Sequence, residues 1–290
     1  MTQKRQAGFP SGGRYRAALL ALGLFALSAA PAGAVTITAQ FLSSKFPSFT
    51  TPSSAKGGGN LTDIFDTAID YWEKAIPSSG SVRILTGWGT LGPNVLASTF
   101  TFSHKSSYYH YPPNYVNIEF NNSNSANWSW FLDPTPTGNS EYSTFTSSSA
   151  DLGGGIVNTG RVFTGANGAA AGNYDLLSVA LHEIGHALGF TPSSGTNVVV
   201  AGPLPDVGTS IRTTTGGHID IETAELYYSL PPSERKLLTG VDILGVAQLA
   251  GYRTVDLNPV PVPLPGGLVL MVSGIVALGV RAAAGRRRAA

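Results

Sequence analysis

Cysteine is absent from the 290-residue sequence. That excludes a disulfide framework and thiol catalysis, so stability must come from packing or from a bound metal. A basic surface is missing too. The formal net charge of +1 misleads, because four basic residues lie near each end of the chain. Residues 35–260 hold ten basic residues against all seventeen acidic ones, a formal charge of −7. Nucleic-acid binders carry basic patches, and none is visible here. Methionine is confined to Met1 and Met271, and no internal repeat is present.

The ends read as processing segments. Lys4, Arg5, Arg14 and Arg16 precede the apolar run AALLALGLFALSAA and then PAGAV, which predicts a signal peptide over 1–34 cut by a signal peptidase after Ala34. At the other end VPVPLPGG precedes an apolar run over 268–280, then Arg281 and Arg286, Arg287 and Arg288. Thirteen helical residues reach about 20 Å, short of a bilayer core of roughly 30 Å, and the flanking small residues bring the run near spanning length. A basic stop would hold it in the inner membrane after export.

Between the ends, about 225 residues suffice for one substantial domain. An alternating stretch, VTITAQF, opens a Ser/Gly-rich segment over 35–60. The spacing of Phe65, Ile69, Trp72 and Ile76 predicts a helix over 62–76, capped by Thr62, stopped by Pro77 and packed on a sheet. Strand-like runs follow at 82–85, 95–102 and 115–120. A polar section over 121–172, long enough to be functional or to hide short strands, includes Trp128, Trp130 and Phe131, expected as loop anchors, and a turn at 151–155. The strongest helix is predicted over 174–188, with Asn173 as cap, a stripe of Leu177, Leu181, Ile184 and Leu188, and Gly189 just past its end. A short helix-like HIDIETAELYYS, a Pro231-Pro232 break and a last helix over 233–249 complete the domain.

HEIGH at 182–186 carries the chemistry. His182 and His186, four apart on a helix, project from one face and can share one zinc ion at about 2.0–2.1 Å. Glu183 can reach a water activated by that ion and serve as general base for hydrolysis. The third ligand is open among Asp206, His218, Asp220, Glu222 and Glu225; His218 is favoured as the only downstream histidine. His104 and His110 read as exposed polar residues. Tyr227 or Tyr228 could steady a reaction intermediate, although packing suits both.

DLLSVALHEIGHALGF resembles the active-site helix of zincin metallopeptidases, especially the matrixin-like metzincins. The helix containing Trp72, the stretches VRIL and VLASTFTF, and the late LTGVDILGVAQLAGY are similar to that group as well. The resemblance implies an α+β fold over 61–256 with a twisted mixed sheet, an active-site helix and a smaller helical C-terminal subdomain. It also implies zinc bound by His182 and His186 with Glu183 as base, in an endopeptidase acting on extracellular proteins. Two departures stand out. The family's third ligand would fall on Pro192, which has no donor, and no Met-turn exists because both methionines lie in the end segments. The tail over 257–290, with Val262-Pro263-Leu264-Pro265-Gly266, resembles PEP-CTERM sorting signals of the VPLPA-like form. That implies processing by an exosortase in a Gram-negative bacterium and delivery to the cell surface or beyond. The alternative reading is a non-catalytic surface or biofilm-matrix protein with a degenerate site, and a third is zinc-dependent hydrolysis of a non-peptide substrate.

Overall fold

The computed structural model describes residues 33–41, 51–104, 113–122, 128–192, 195–202, 204, 208–214 and 216–259. They form a mixed α+β arrangement of several sheets and three helices. β1 (Val35–Phe41) begins with buried and exposed residues in alternation, as VTITAQF requires of a strand with one face on a core. α1 (Leu61–Ala75) leads into β2 (Gly80–Gly89), which runs parallel to β1 from Val35↔Gly80 to Phe41↔Thr86. Parallel neighbours need a crossover, and α1 supplies it. β3 (Ala97–His104) and β4 (Pro113–Asn121) complete a sheet ordered β1-β2-β4-β3, with β4 parallel to β2 and β3 antiparallel at the edge. The strand of the 35–60 segment thus belongs to the main sheet. No break in packing falls at residue 60: Gly59 donates its N–H to the Leu132 carbonyl at 2.9 Å.

α1 is capped by Asn60 rather than Thr62; the Asn60 side chain accepts from the Asp63 N–H at 2.9 Å. The earlier start lets Leu61 bury with Ile64, Phe65, Ala68 and Trp72. Trp72 is fully buried, and its indole Nε1 donates to the Leu181 carbonyl of α2 (Leu176–Ala187) at 2.9 Å. The predicted stripe of Leu177, Leu181, Ile184 and Leu188 is buried. α2 starts two residues later than the spacing predicts, capped by Asp175. Tyr174 and Asp175 are held extended as β8 (Tyr174–Asp175) beside β5 (Trp130–Phe131), and Asn173 instead donates to the carbonyls of Ala169 and Ala171.

Gly185, between the two histidines, lies where helices meet. A methyl group there would come within 2.6 Å of Leu226 Cδ2 and 3.1 Å of Trp72 Cζ2. Overpacking of this kind costs about 1–3 kcal/mol, against a helix-propensity gain of about 1 kcal/mol. Gly185→Ala is therefore expected to lower the melting temperature by a few degrees in a thermal melt, although alanine is the better helix former.

The polar section hides strands, the second of the two expectations for it. It contains β5 and a hairpin of β6 (Tyr142–Asp151) and β7 (Ile156–Ala166), turned at Asp151, whose Oδ1 accepts from the N–H groups of Gly153 and Gly155. Trp130 and Phe131 are buried anchors, as expected, and Trp128 is partly buried. Beyond α2, β9 (Asn197–Val199), β10 (Ser210–Thr214) and β11 (His218–Ile219) form a small sheet ordered β11-β10-β9. The stretch read as a short helix after Gly217 is β11 followed by turns. Its backbone N–H groups at Glu225 and Leu226 bond to the Asp242 carboxylate, and Ile219 N–H bonds to the Leu226 carbonyl, which leaves no helical ladder.

The last helix also begins later than expected. β12 (Arg235–Lys236) pairs with β7 first, and α3 (Gly240–Ala250) starts at a capping box made by Thr239 and Asp242. No helix among the described residues is long and apolar enough to cross a membrane. The predicted span at 268–280, and the predicted signal peptide apart from residues 33 and 34, lie outside the described residues.

Candidate metal centre

α2 positions the first two candidate ligands. Its buried stripe faces α1 and the core, and turns His182 and His186 toward the opposite, open side. His182 Nδ1 lies 2.9 Å from the Glu225 carbonyl, and His186 Nδ1 lies 2.7 Å from the Phe190 carbonyl. A carbonyl only accepts, so both Nδ1 atoms carry the hydrogen. Burial, and for His182 also the neighbouring His186, lowers both ring pKa values, and His182 falls well below its ordinary value. Both rings are therefore neutral at pH 7, and each Nε2 holds a bare lone pair. Those two Nε2 atoms stand 3.2 Å apart. Two lone pairs at that distance repel unless a cation lies between them. Nitrogens about 2.0–2.1 Å from one tetrahedral ion stand roughly 3.3 Å from each other, so the spacing fits a shared metal.

His218 joins them. The β10–β11 hairpin, with Thr214 opposite His218, carries it back across the face of α2. The turn includes Gly216 and Gly217, both at positive φ (76° and 78°), and a side chain on Gly216 would press on the His218 ring at 3.1 Å. The three ring centroids are 4.9, 5.1 and 5.0 Å apart, and one ligand nitrogen from each ring lies within 4.8 Å of the others. Gly189, at φ 113°, turns the chain out of α2 as the sequence suggests, and Pro192 contributes no ligand atom.

Among the other ligand candidates, Asp206 lies outside the described residues, as does His110, expected as an exposed polar residue. Asp220 pairs with Arg212 at 3.2 Å on the surface, and Glu222 is exposed. Glu225 is near the site by its backbone, since its carbonyl holds His182. Among the described residues its carboxyl is not part of the metal-ligating group.

Glu183 is buried beside the histidines, with 7% of its surface exposed. Its Oε2 lies 2.5 Å from the Thr99 hydroxyl, which also bonds to the Glu183 carbonyl at 3.1 Å. Burial pushes the Glu183 carboxyl up to about 7, opposed by the Thr99 hydrogen bond and by His218. A carboxyl poised there can both accept and return a proton near neutral pH. Thr99 lies on the edge strand, and nothing in STFTF distinguishes it; only the pairing of β3 with β4 brings it over α2.

His182, Glu183 and His218 line one cleft of about 400 Å³ that runs from Pro93–Ala97 and Trp128 past Val179 to Tyr227–Leu230 and Lys236. Tyr227 and Tyr228, both on its lining, meet at a tilt of 47° with centroids 4.4 Å apart. Lys236 was hidden within the expected last helix. It is buried, donating from Nζ to the carbonyls of Glu222 and Ser229 at 2.7 and 3.2 Å.

Behind the cleft Arg235 anchors α2. Its guanidinium takes both oxygens of Asp175 at 3.0 and 2.8 Å and Asp133 at 2.7 Å, all buried. In comparisons with known proteins, no family model, no curated protein and no solved structure matches this chain.

Proposed function

We propose that this chain is a zinc-dependent endopeptidase whose metal is held by His182, His186 and His218. The observation that carries the reading is the pair of backed imidazoles whose lone pairs face one another at 3.2 Å, with a third ring beside them and a buried carboxyl in the same cleft. Three neutral imidazoles suit zinc and form a common catalytic set. Zinc bound there supplies a Lewis acid that polarises a carbonyl and lowers the pKa of water.

The chain's own residues do the rest. Glu183 takes a proton from the attacking water at its carboxylate and gives it to the departing amine, with Thr99 holding Oε2 in place. The cleft adjoins β3, an edge strand among the described residues, so an extended peptide can align its backbone there. On this reading the fold is zincin-like, with Pro192 and a missing Met-turn marking its divergence and a hairpin histidine completing the site. Action outside the cytoplasm belongs to the same proposal and rests on the basic-then-apolar N-terminus and the Pro/apolar/Arg tail.

Cleavage of a casein substrate by the purified chain, lost with chelator and restored by zinc, is the expected result. No hydrolysis at full zinc loading would leave the non-catalytic reading standing. Zinc at 1,000 times its Kd is also expected to stabilise the fold by about 4 kcal/mol, raising the melting temperature by on the order of 10 °C. His218→Ala should remove most of that rise in a thermal melt with and without zinc.

A further inference from the structure

On the endopeptidase reading, whose substrate class this narrows, we infer that the end of the cleft formed by residues 93–97, Trp128 and Tyr174 is a subsite for a large apolar side chain, aromatic above all. It takes a substrate residue about three places from the cleaved bond, on one side of the metal.

The wall of this end is apolar and fixed in advance. PNVLA at 93–97 carries one polar side chain, Asn94, and no charge. Carbonyls along that segment are already engaged. Asn121, fully buried, donates Nδ2 to the Gly92 and Val95 carbonyls at 2.9 and 2.7 Å and its N–H to the Leu96 carbonyl at 2.8 Å. Trp128 Nε1 donates to the Pro93 carbonyl at 2.9 Å. A segment held in this way offers a ligand its hydrocarbon, and little ordering is left to do on binding.

Accessible apolar surface collects there. Val95 is 40% exposed, while Leu96, Ala97, Trp128 and Tyr174 are partly buried, and all of them line the cleft. Trp128 packs at 90° against Trp130 and at 77° against Tyr174, with centroids 5.1 and 5.5 Å apart. Its only polar group is spent on Pro93, so the indole offers the cleft a π surface alone. A further ring can join this edge-to-face cluster. Taking that surface out of water favours any large apolar group.

Two elements measure its distance from the reacting centre. Thr99 on β3, whose hydroxyl bonds to Glu183, follows Leu96 by three residues, a span of about 10 Å. α2 rises about 9 Å over the six residues from Leu176 to His182, and Tyr174 precedes it. Both elements therefore run from beside Trp128 to the metal centre. An extended peptide laid along β3 advances about 3.4 Å per residue, so about three residues separate the cleaved bond from this end.

The test is a set of peptides identical but for one residue, placed in turn one to four positions from the cleaved bond on either side. That residue is Phe, Trp, Leu, Ser or Glu, and the set is given to the zinc-loaded chain. Two to four positions away on one side, Phe and Trp are expected to exceed Ser in kcat/KM by about ten- to thirtyfold, with Leu between them. The gain should appear in KM, because the contact is the same in the ground and transition states. Trp128→Ala should cut the Phe-to-Ser ratio to about threefold or less. Val95→Asp, at an exposed position that folding tolerates, should cut it as well, with zinc content measured for both variants. A preference confined to the residues flanking the bond, no gain of Phe over Ser at any position, or a ratio unchanged in either zinc-replete variant overturns the subsite while leaving the peptidase reading in place. Failure to cleave any peptide at full zinc loading overturns the peptidase reading, and the subsite with it.

Discussion

Glu183→Gln is expected to lower kcat/KM on a peptide substrate by about a hundred- to ten-thousandfold, the usual worth of a positioned proton-transfer group. The substitution is nearly isosteric. It preserves an oxygen within reach of Thr99 and removes the ability to take a proton. On the proposed reading zinc content should not change, because the group that could hold a metal consists of the three histidines and does not include Glu183. The paired result discriminates between roles: lost turnover with retained zinc marks a proton carrier, whereas lost zinc would mark a ligand. Turnover close to that of the unmodified protein would remove Glu183 from the chemistry.

Arg235→Met is expected to be the most damaging change away from the metal. Arg235 is fully buried, and Asp175 and Asp133 accept its hydrogen bonds. Burial alone would lower the guanidinium pKa, and the two carboxylates more than reverse that, holding it above its ordinary value. Removing one partner strands two buried carboxylates, which costs about 3–5 kcal/mol. For a domain of this size that is a fall in melting temperature on the order of 10 °C. The effect should also reach the site, since Asp175 caps α2 through the Ser178 N–H at 3.0 Å and α2 carries both HEIGH histidines. A loss below 1 kcal/mol in denaturant titration would show that the cluster contributes little to the fold.

Local signals were readable in the sequence, and distant ones were not. HEIGH lies on a helix because its apolar stripe and the four-residue histidine spacing share one period, and the structure follows that period. The cap moved from Asn173 to Asp175 because the latter is pinned by Arg235, sixty residues away in sequence. Arg235 itself reads as part of a late helix, and its ties to Asp133 and Asp175 have no sequence signature. β6 cannot be located in the polar section for a different reason: nearly all of its residues are exposed or partly so, and a strand without a buried face lacks the alternation that reveals strands. His218 could be singled out as the only histidine after HEIGH, but the glycine-turned hairpin that returns it to α2 could not. The carboxyl alternatives at Glu222 and Glu225 depended on a helix there, and the Asp242 carboxylate draws those backbone N–H groups out of one.

The most direct measurement is anomalous diffraction at the zinc edge from crystals grown with zinc. The expected result is one ion at full occupancy, bonded by Nε2 of His182, Nε2 of His186 and a ring nitrogen of His218. An ion bound elsewhere, or the three rings packed together with no density between them in excess zinc, would contradict it.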